Sequence, residues 1–179
     1  DLQRVTTNAG ESEVKGIEIE MIGRPTSALE LGATFAYTDA EFTEYFDTDP
    51  KDPEAGIQDL SGNRLPRTPE YTLNLSAAYS WDFDPGSLTA SVVYYWSDEV
   101  FFSAYNREAD SQDSYHRTDA RLAFNSADGR WFVALAAKNL EDDEIASQIE
   151  LSSPQLGGID AAQWQAPRTY SLSVGYHFD

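Results

Sequence analysis

The chain has 179 residues, no cysteine, and 31 Asp and Glu against 12 Lys and Arg, which gives a formal net charge of -19. Without cysteine, neither a disulfide framework nor a thiolate metal site can form, and phosphate backbones repel so acidic a chain, which argues against a nucleic-acid partner. Aromatic residues make up 13% of the sequence, a content typical of ordered proteins. No stretch approaches the roughly 20 apolar residues of a transmembrane helix, so any membrane would be crossed by strands.

Seven segments alternate between apolar and polar residues with period two, the pattern of a strand that has two different faces. In chain order they are 14–22, 29–38, 71–81, 88–96, 116–124, 131–140 and 169–178. In the last of them, Leu172 and Val174 share a face with tyrosines, and Ser171 and Ser173 lie on the other face. The sequence therefore predicts an all-β, antiparallel fold in which one face is apolar and the other is small and polar.

The connections between these segments alternate between short and long. Turns at 24–27, 82–87 and 126–130 are rich in turn-forming residues, whereas the polar segments 39–67, 97–115 and 141–166 are long. This parity is typical of transmembrane β-barrels, which have short periplasmic turns and long extracellular loops, and it directs the C-terminus to the periplasm. The aromatic residues expected in two interfacial girdles are Trp81, Phe83, Trp131, Tyr176 and Phe178 at the turn side, and Tyr94, Trp96, Phe101 and Phe102 at the loop side.

Seven strands are fewer than the eight or so of the smallest barrels, so we expect further strands in the complete protein. The N-terminus, from Asp1 to Val5, lacks the charged and apolar regions of a secretion signal. We therefore interpret residues 1–179 as a segment of a larger transmembrane barrel, and we expect the chain to be a fragment or a processed product.

Four stretches carry a family pattern. They are Asn8-Ala9-Gly10 followed by Lys15-Gly16-Ile17-Glu18-Ile19-Glu20, Leu60 to Pro69 with its "GxxLPxxP" spacing, Lys138-Asn139-Leu140 followed by acidic residues, and Ala166 to Tyr170. In this order they resemble the closing third of TonB-dependent receptors, which are large outer-membrane transporters. The chain departs from that pattern at Asp179, which follows the terminal aromatic residue, and at Ile145, where a tyrosine is common.

The resemblance implies a barrel of about 22 strands that a separate N-terminal domain plugs. Such receptors import iron-siderophore complexes, cobalamin, haem or carbohydrates with energy passed on by TonB. The expected partners are therefore the outer-membrane lipid of a Gram-negative bacterium, the plug domain, and the TonB system through an N-terminal region. Residues 1–179 would be the C-terminal part of the barrel, without plug or earlier strands, and no cofactor is expected.

Charged residues on the polar face are candidates for the lumen wall. They are Glu18, Glu20, Glu30, Arg117, Asp119, Arg121 and Lys138. We expect them to be hydrated or to contact the plug rather than to bind the substrate directly. Candidate ligand contacts are loop aromatics, which equally suit the packing of one loop on another: Tyr45, Phe46, Phe101, Phe102, Tyr105 and Trp164.

Catalysis finds little support in the sequence. His116 and His177 are the only histidines, and no catalytic triad, HExxH motif or phosphate loop is visible. The acidic run 47–54 has oxygen ligands at alternate positions, as calcium sites do, but it lacks the glycine and closing glutamate of an EF-hand and contains Lys51. An acidic, solvated outer loop is the favoured interpretation, and we predict that the protein is not an enzyme.

Two other functions fit the pattern of alternating strands. One is an ungated, porin-like outer-membrane channel, and the other is a soluble β-sandwich that binds sugar or protein. The imported ligand has no motif in the sequence. Since the chain is acidic, its mouth would favour a cationic or neutral ligand over a polyanion.

Overall fold

The computed structural model describes residues 10–152, 154 and 158–178. These residues form thirteen strands and two single-turn 3₁₀ helices, at Pro53–Ala55 and Glu108–Asp110. The long strands are β1 (Glu11–Gly23), β2 (Leu29–Glu44), β5 (Tyr71–Phe83), β6 (Gly86–Ser97), β9 (Tyr115–Ser126), β10 (Trp131–Lys138) and β13 (Thr169–Tyr176). The short strands are β3 (Phe46–Thr48), β4 (Ile57–Asp59), β7 (Val100–Phe101), β8 (Ser111–Gln112), β11 (Ala146–Glu150) and β12 (Ala161–Trp164).

The seven long strands form one antiparallel sheet, which we call the wall, in the order β1-β2-β5-β6-β9-β10-β13. Each strand pairs with the next long strand along the chain, as in an up-and-down barrel. Within the described residues, β1 and β13 are the two edges of the wall, and each has one side without a strand partner. The predicted seven-stranded antiparallel architecture is confirmed.

The register assigns every wall residue to one of two faces, because directly opposed residues point the same way. One row joins Leu135 to Leu172 on one side and to Leu122 on the other. The neighbouring row joins Arg121 to Ser91 and Ala136. The rows alternate in this way across the sheet, so the wall has an apolar face and a polar face, as the period-two pattern predicts.

The apolar face is not covered by a second layer of the described chain. Leu31 is 42% exposed, Leu135 54% and Leu172 65%, although such side chains are normally buried in water-soluble domains. A continuous apolar surface of this kind marks contact with lipid or with a partner. The β-sandwich alternative requires a second sheet that seals this face into a core. The exposure of Leu31, Leu135 and Leu172 contradicts that alternative.

Aromatic rings contact one another in pairs at both ends of the apolar face. At the turn end, Trp131 lies 4.7 Å from Tyr176, and Tyr79 lies 4.7 Å from Trp81. At the loop end, the ring of Tyr37 lies 5.1 Å from that of Tyr71. From Tyr71 to Trp81 the strand rises about 33 Å, and a tilt of about 40° reduces this to the roughly 25 Å apolar band of outer-membrane barrels.

Short turns close one end of the wall. The turn between β9 and β10 places Gly129 at φ 70°, and the Gly129 amide donates to the Ser126 carbonyl. A side chain is strained at that φ, so glycine suits the position. The Asp128 carboxylate accepts hydrogen bonds from the Ser126 hydroxyl and the Arg130 amide, and these bonds lower the pKa of Asp128.

At the other end, three outer loops fold over the wall: the first is 45–70, the second 98–114 and the third consists of the described residues between 139 and 168. Strand β2 continues to Glu44, well beyond the predicted loop start at residue 39. Ala40 and Phe42 alternate with acidic residues there, and their side chains are buried under the first loop. Strands β10 and β13 end two residues earlier than predicted, at Lys138 and Tyr176.

Two of the girdle residues predicted at the loop side do not lie on the wall. Phe101 belongs to β7 and Phe102 follows it, so both lie in the second outer loop, where the Phe102 amide donates to the Asp110 carbonyl. The backbone of this loop pairs with itself and carries both rings away from the apolar face. No helix in the described part of the chain is long and apolar enough to cross a membrane. Asn8, Ala9 and Asp179 lie outside the described residues.

Candidate functional site

The charged side chains predicted for the lumen all lie on the polar face. Register positions such as Glu20 opposite Thr34 and Arg117 opposite Tyr95 follow one parity across the wall. The shared face holds Glu18, Glu20, Glu30, Arg117, Asp119, Arg121 and Lys138. The glutamates lie on β1 and β2, whereas β9 and β10 carry the three cations together with Asp119.

Several of these charges have partners within the described chain. Glu30 forms an ion pair with Arg24 at 2.6 Å, and Arg117 lies 3.5 Å from Asp119. The Arg121 guanidinium lies 5.7 Å from the Phe132 ring centroid. Phe132 faces Gly175, where a Cβ atom would approach the ring to 3.4 Å. On the polar face, the Phe132 ring therefore makes a cation–π contact with Arg121.

The first and second outer loops are tied into one unit. The Asn63 side chain donates to the Ala104 carbonyl at 2.8 Å. Asn106 accepts from the Arg64 amide at 2.6 Å and donates to the Arg64 carbonyl at 3.0 Å. The Arg67 amide donates to the Phe101 carbonyl at 2.8 Å. These bonds satisfy backbone groups of both loops and fix one loop on the other.

A charged cluster reinforces this junction. Arg107 donates to Asp49 at 2.6 Å and to Asp110 at 3.3 Å, and its guanidinium lies 4.8 Å from the Tyr105 ring centroid. Burial, together with the nearby carboxylates Asp47 and Asp49, raises the pKa of Tyr105 to about 12. Asp49 is buried, so the acidic run is not a fully solvated loop as expected, because this carboxylate neutralises Arg107.

Asn139 organises the third outer loop from the end of β10. Its side chain is buried, donates to the carbonyls of Asp143 and Ala166, and accepts from the Asp143 amide at 3.2 Å. Its backbone amide donates to Asp119 at 3.0 Å, and its φ of 52° reverses the chain. Asparagine tolerates this conformation better than most residues. The asparagine of the Lys138-Asn139-Leu140 stretch is thus a structural hub.

Glu141 anchors the same loop on β9. Its carboxylate accepts a hydrogen bond from the Thr118 amide at 2.8 Å. Burial alone would raise the pKa of Glu141, but the hydrogen bonds from Thr118 outweigh it and lower the pKa. Ile145, at the position where the family often has tyrosine, is 1% exposed and packs inside the loop.

The loop aromatics divide into packed and exposed rings. Tyr45 stacks on Phe42 at 4.6 Å and donates to Asp47, and Phe101 lies under Arg64. Phe102 and Tyr105 are half-buried. Phe46 is 55% exposed and Trp164 is 54% exposed, so these two rings are free to contact a ligand.

A pocket of about 260 Å³ opens where the three outer loops meet the polar face. We call it the three-loop pocket. Its lining includes Arg67, Tyr95, Phe102, Gln112, Tyr115 and Gln165. Tyr95 and Tyr115 come from neighbouring wall strands, and their rings lie 5.9 Å apart. Gln112 accepts from the Ala146 amide at 2.7 Å, and this bond docks the third loop on the second.

Sequence reasoning missed this pocket, and it also missed the ion pair between Arg107 and Asp49 that joins the first two loops. Tyr95 and Tyr115 could have been found from the sequence, because they are large aromatic residues at positions of β6 and β9 that face the polar side of the wall. Arg107 and Asp49 carried none, since they are 58 positions apart. No group of three or more His, Cys, Asp or Glu in the described residues is arranged to hold a metal ion.

The fold and the gathered loops define a wall segment of a large antiparallel β-barrel. The family model described as "TonB dependent receptor-like, beta-barrel" matches residues 2–140. The chain therefore belongs to this family of TonB-dependent receptors.

Solved structures agree with this assignment. The chain matches the ferric yersiniabactin uptake receptor of Yersinia pestis with a TM-score of 0.78 and 21% identity, over 96% of this chain and 24% of that one. The ferric preacinetobactin receptor of Acinetobacter baumannii gives 0.65 and 25%, over 95% and 23%. The siderophore receptor PiuA of the same species gives 0.69 and 22%, over 92% and 22%. The chain thus spans about a quarter of the length of these receptors.

Proposed function

We propose that the chain is the C-terminal part of the barrel of an outer-membrane, TonB-dependent receptor of a Gram-negative bacterium, which binds a scarce nutrient and imports it. The observation that carries this proposal is the two-sided wall. Its uncovered apolar face suits lipid, its polar face suits a lumen, and all three long loops gather at one end. A receptor needs this division between membrane contact, passage and ligand capture.

The polar face suits contact with the plug domain of the full-length protein. Glu18 and Glu20 have no ion-pair partner among the described residues, and neither does Lys138. A plug surface that carries the opposite charges would pair with them, and burial of these charges between plug and wall would strengthen the pairs. The TonB system would act through the N-terminal region, and the wall itself would need no cofactor.

Capture of the nutrient belongs to the outer loops in this proposal. Phe46 and Trp164 present exposed rings there, and rigid aromatic side chains give contact area at low entropic cost. The ligand classes open to such a receptor are iron-siderophore complexes, cobalamin, haem and carbohydrates.

The proposal is tested with the full-length receptor in a Gram-negative strain that lacks its own uptake receptors. Labelled ferric siderophores, cobalamin, haem and oligosaccharides are supplied at nanomolar concentration, with and without TonB. We expect saturable uptake of one ligand that stops when TonB is deleted. Unsaturable, TonB-independent permeation would indicate an ungated channel and would contradict the proposal. Recovery of the protein without detergent would contradict the membrane location.

A further inference from the structure

The three-loop pocket differs in charge from the rest of the chain. Arg67 is the one charged residue that lines it, and no Asp or Glu does. The Arg67 side chain is exposed, and within the described part of the chain it makes no ion pair. In a chain with a formal net charge of -19, an unpaired guanidinium in a pocket free of carboxylates is a local reversal of sign.

Two of the acidic residues next to lining residues in the sequence pair with a cation outside the pocket. Glu70 and Asp98 both pair with Arg64, and the Asp98 oxygen lies 4.0 Å from that guanidinium. A second cation stands behind the pocket, where Arg117 donates to Gln165 at 2.9 Å. Asp119, 3.5 Å from Arg117, offsets part of that charge, so Arg67 provides the free positive charge.

We propose that the three-loop pocket binds an anionic, oxygen-bearing group of the imported ligand, such as a carboxylate or a phenolate. The guanidinium of Arg67 offers paired N–H donors that match two oxygens of such a group. The rings of Tyr95, Tyr115 and Phe102 provide flat, rigid walls, and the amide of Gln165 is held by Arg117. This inference rests on the proposed function and names the chemistry of one part of its ligand.

The size of the pocket limits what it binds. Its volume of about 260 Å³ is below the roughly 300–1,000 Å³ of pockets that enclose a whole drug-sized ligand. The pocket is therefore a subsite for one arm or headgroup. The contacts at Ala146 and Phe101 described above fix all three loops around it, so little ordering is needed on binding.

The inference reverses the preference that net charge alone suggests. The acidic chain predicts a cationic or neutral ligand, but the field of distant charges is screened beyond about 8 Å at physiological ionic strength. A contact with Arg67 acts at hydrogen-bond distance and is screened much less. Local geometry therefore decides the sign of the bound group.

The test uses purified full-length receptor in detergent at physiological salt. Affinities are measured for ferric citrate and ferric enterobactin, which are anionic, for ferrichrome, which is neutral, and for ferrioxamine B, which is cationic. We expect an anionic probe to bind most tightly. Arg67→Gln should weaken its binding by roughly tenfold to a hundredfold, the range for a lost hydrogen bond to a charged group, and Arg67→Lys should weaken it less.

Lys51→Gln is the matched control, because it removes one positive charge from the same outer loops but not from the pocket. It should change affinity by no more than about twofold, as rim charges do. Each variant is first checked for native folding by its resistance to unfolding in detergent. Raising the salt concentration should weaken binding of the anionic probe more in the wild type than in Arg67→Gln.

Two results would overturn the inference and leave the proposed function intact. One is TonB-dependent uptake of a neutral or cationic ligand with no affinity for either anionic probe. The other is an effect of Arg67→Gln no larger than that of Lys51→Gln. Absence of any TonB-dependent uptake from the wider ligand panel would instead contradict the proposed function itself.

Discussion

In the wall, backbone hydrogen bonds join strands that follow one another along the chain, whereas in the outer loops side chains join residues far apart in sequence. β5 and β6 pair in register from Thr72 to Phe83, but Arg107 reaches Asp49 across 58 positions. The wall is thus specified by which face each side chain occupies. The loops are specified by a few individual polar groups, and the two regions should respond differently to substitution.

The largest effect is expected where a charge is placed on the apolar face of the wall. Leu172→Arg should destabilise the full-length receptor in lipid vesicles by about 2–4 kcal/mol, the cost of an arginine near the bilayer midplane. The adjacent Ser173→Arg points to the polar face and should cost much less, because a side chain there does not contact lipid. Urea titration of folding into vesicles measures both. Equal losses in the two variants would mean that the faces do not differ in environment.

In the loops, the removal of one buried amide should release a whole segment. Asn139→Ala deletes the hydrogen bonds to Asp143 and Ala166, and we expect the opening free energy of the third outer loop to fall by about 2–3 kcal/mol. Amide hydrogen exchange of residues 140–168 in the full-length receptor measures this change. Asn125→Ala, at an exposed position near the turn end, is the control. If hydrogen-exchange protection of the third outer loop is unchanged in Asn139→Ala, the Asn139 side chain does not hold this loop together.

Cutting the link between the first two loops should have a smaller, local effect. Arg107→Gln leaves the buried carboxylates of Asp49 and Asp110 without their cation, at a cost of about 1.5–3 kcal/mol. We expect faster thermolysin cleavage within residues 45–60, while the wall remains intact. Lys51→Gln breaks only the exposed pair with Asp160 and should leave the cleavage rate nearly unchanged. If both variants behave alike, the Arg107 cluster does not hold the loops together.

The smallest effect is expected at Tyr105, whose hydroxyl is buried without a hydrogen-bond partner. Tyr105→Phe should change stability by no more than about 0.5 kcal/mol, since no bond is lost. The pKa of Tyr105 is raised to about 12, so the fold favours the neutral phenol. The stability that the fold gains from a neutral phenol is fully present below about pH 10, the ordinary pKa of tyrosine. It is lost as the pH rises from there through about 12.

An ultraviolet titration checks this assignment. The difference between wild type and Tyr105→Phe should show one phenol that ionises near pH 12. Ionisation of that phenol near the ordinary value would show that the carboxylates and burial around it do not act as described.

The wall could be predicted from the sequence because its pattern is local. Alternation placed Leu172 and Ser173 on opposite faces, and parity placed Arg117 and Lys138 on the same one. The extension of β2 to Glu44 was missed because Asp39 and Glu41 suggested a solvated loop. Ala40 and Phe42 do not continue the apolar row of Leu31 and Phe35, since they have the parity of the polar face. The first outer loop covers this side of β2 and buries both side chains. These contacts are tertiary, so a local sequence pattern does not show them.

The three-loop pocket could not be predicted for the same reason. Its lining runs from Arg67 to Gln165, and no short motif relates residues so far apart. Only the folded loops bring the free guanidinium of Arg67 next to the tyrosines of β6 and β9. The subsite that we propose for the ligand therefore lies in the part of the chain where sequence patterns are weakest.

The central claim is that alternate side chains of the wall touch hydrocarbon and a water-filled lumen. Spin labels placed singly at positions 170–176 of the full-length receptor in vesicles test it directly. Collisions with oxygen, which concentrates in lipid, should peak at positions 170, 172, 174 and 176, and collisions with a water-soluble nickel reagent should peak at 171, 173 and 175. The same accessibility at even and odd positions, or the opposite phase, would contradict the account.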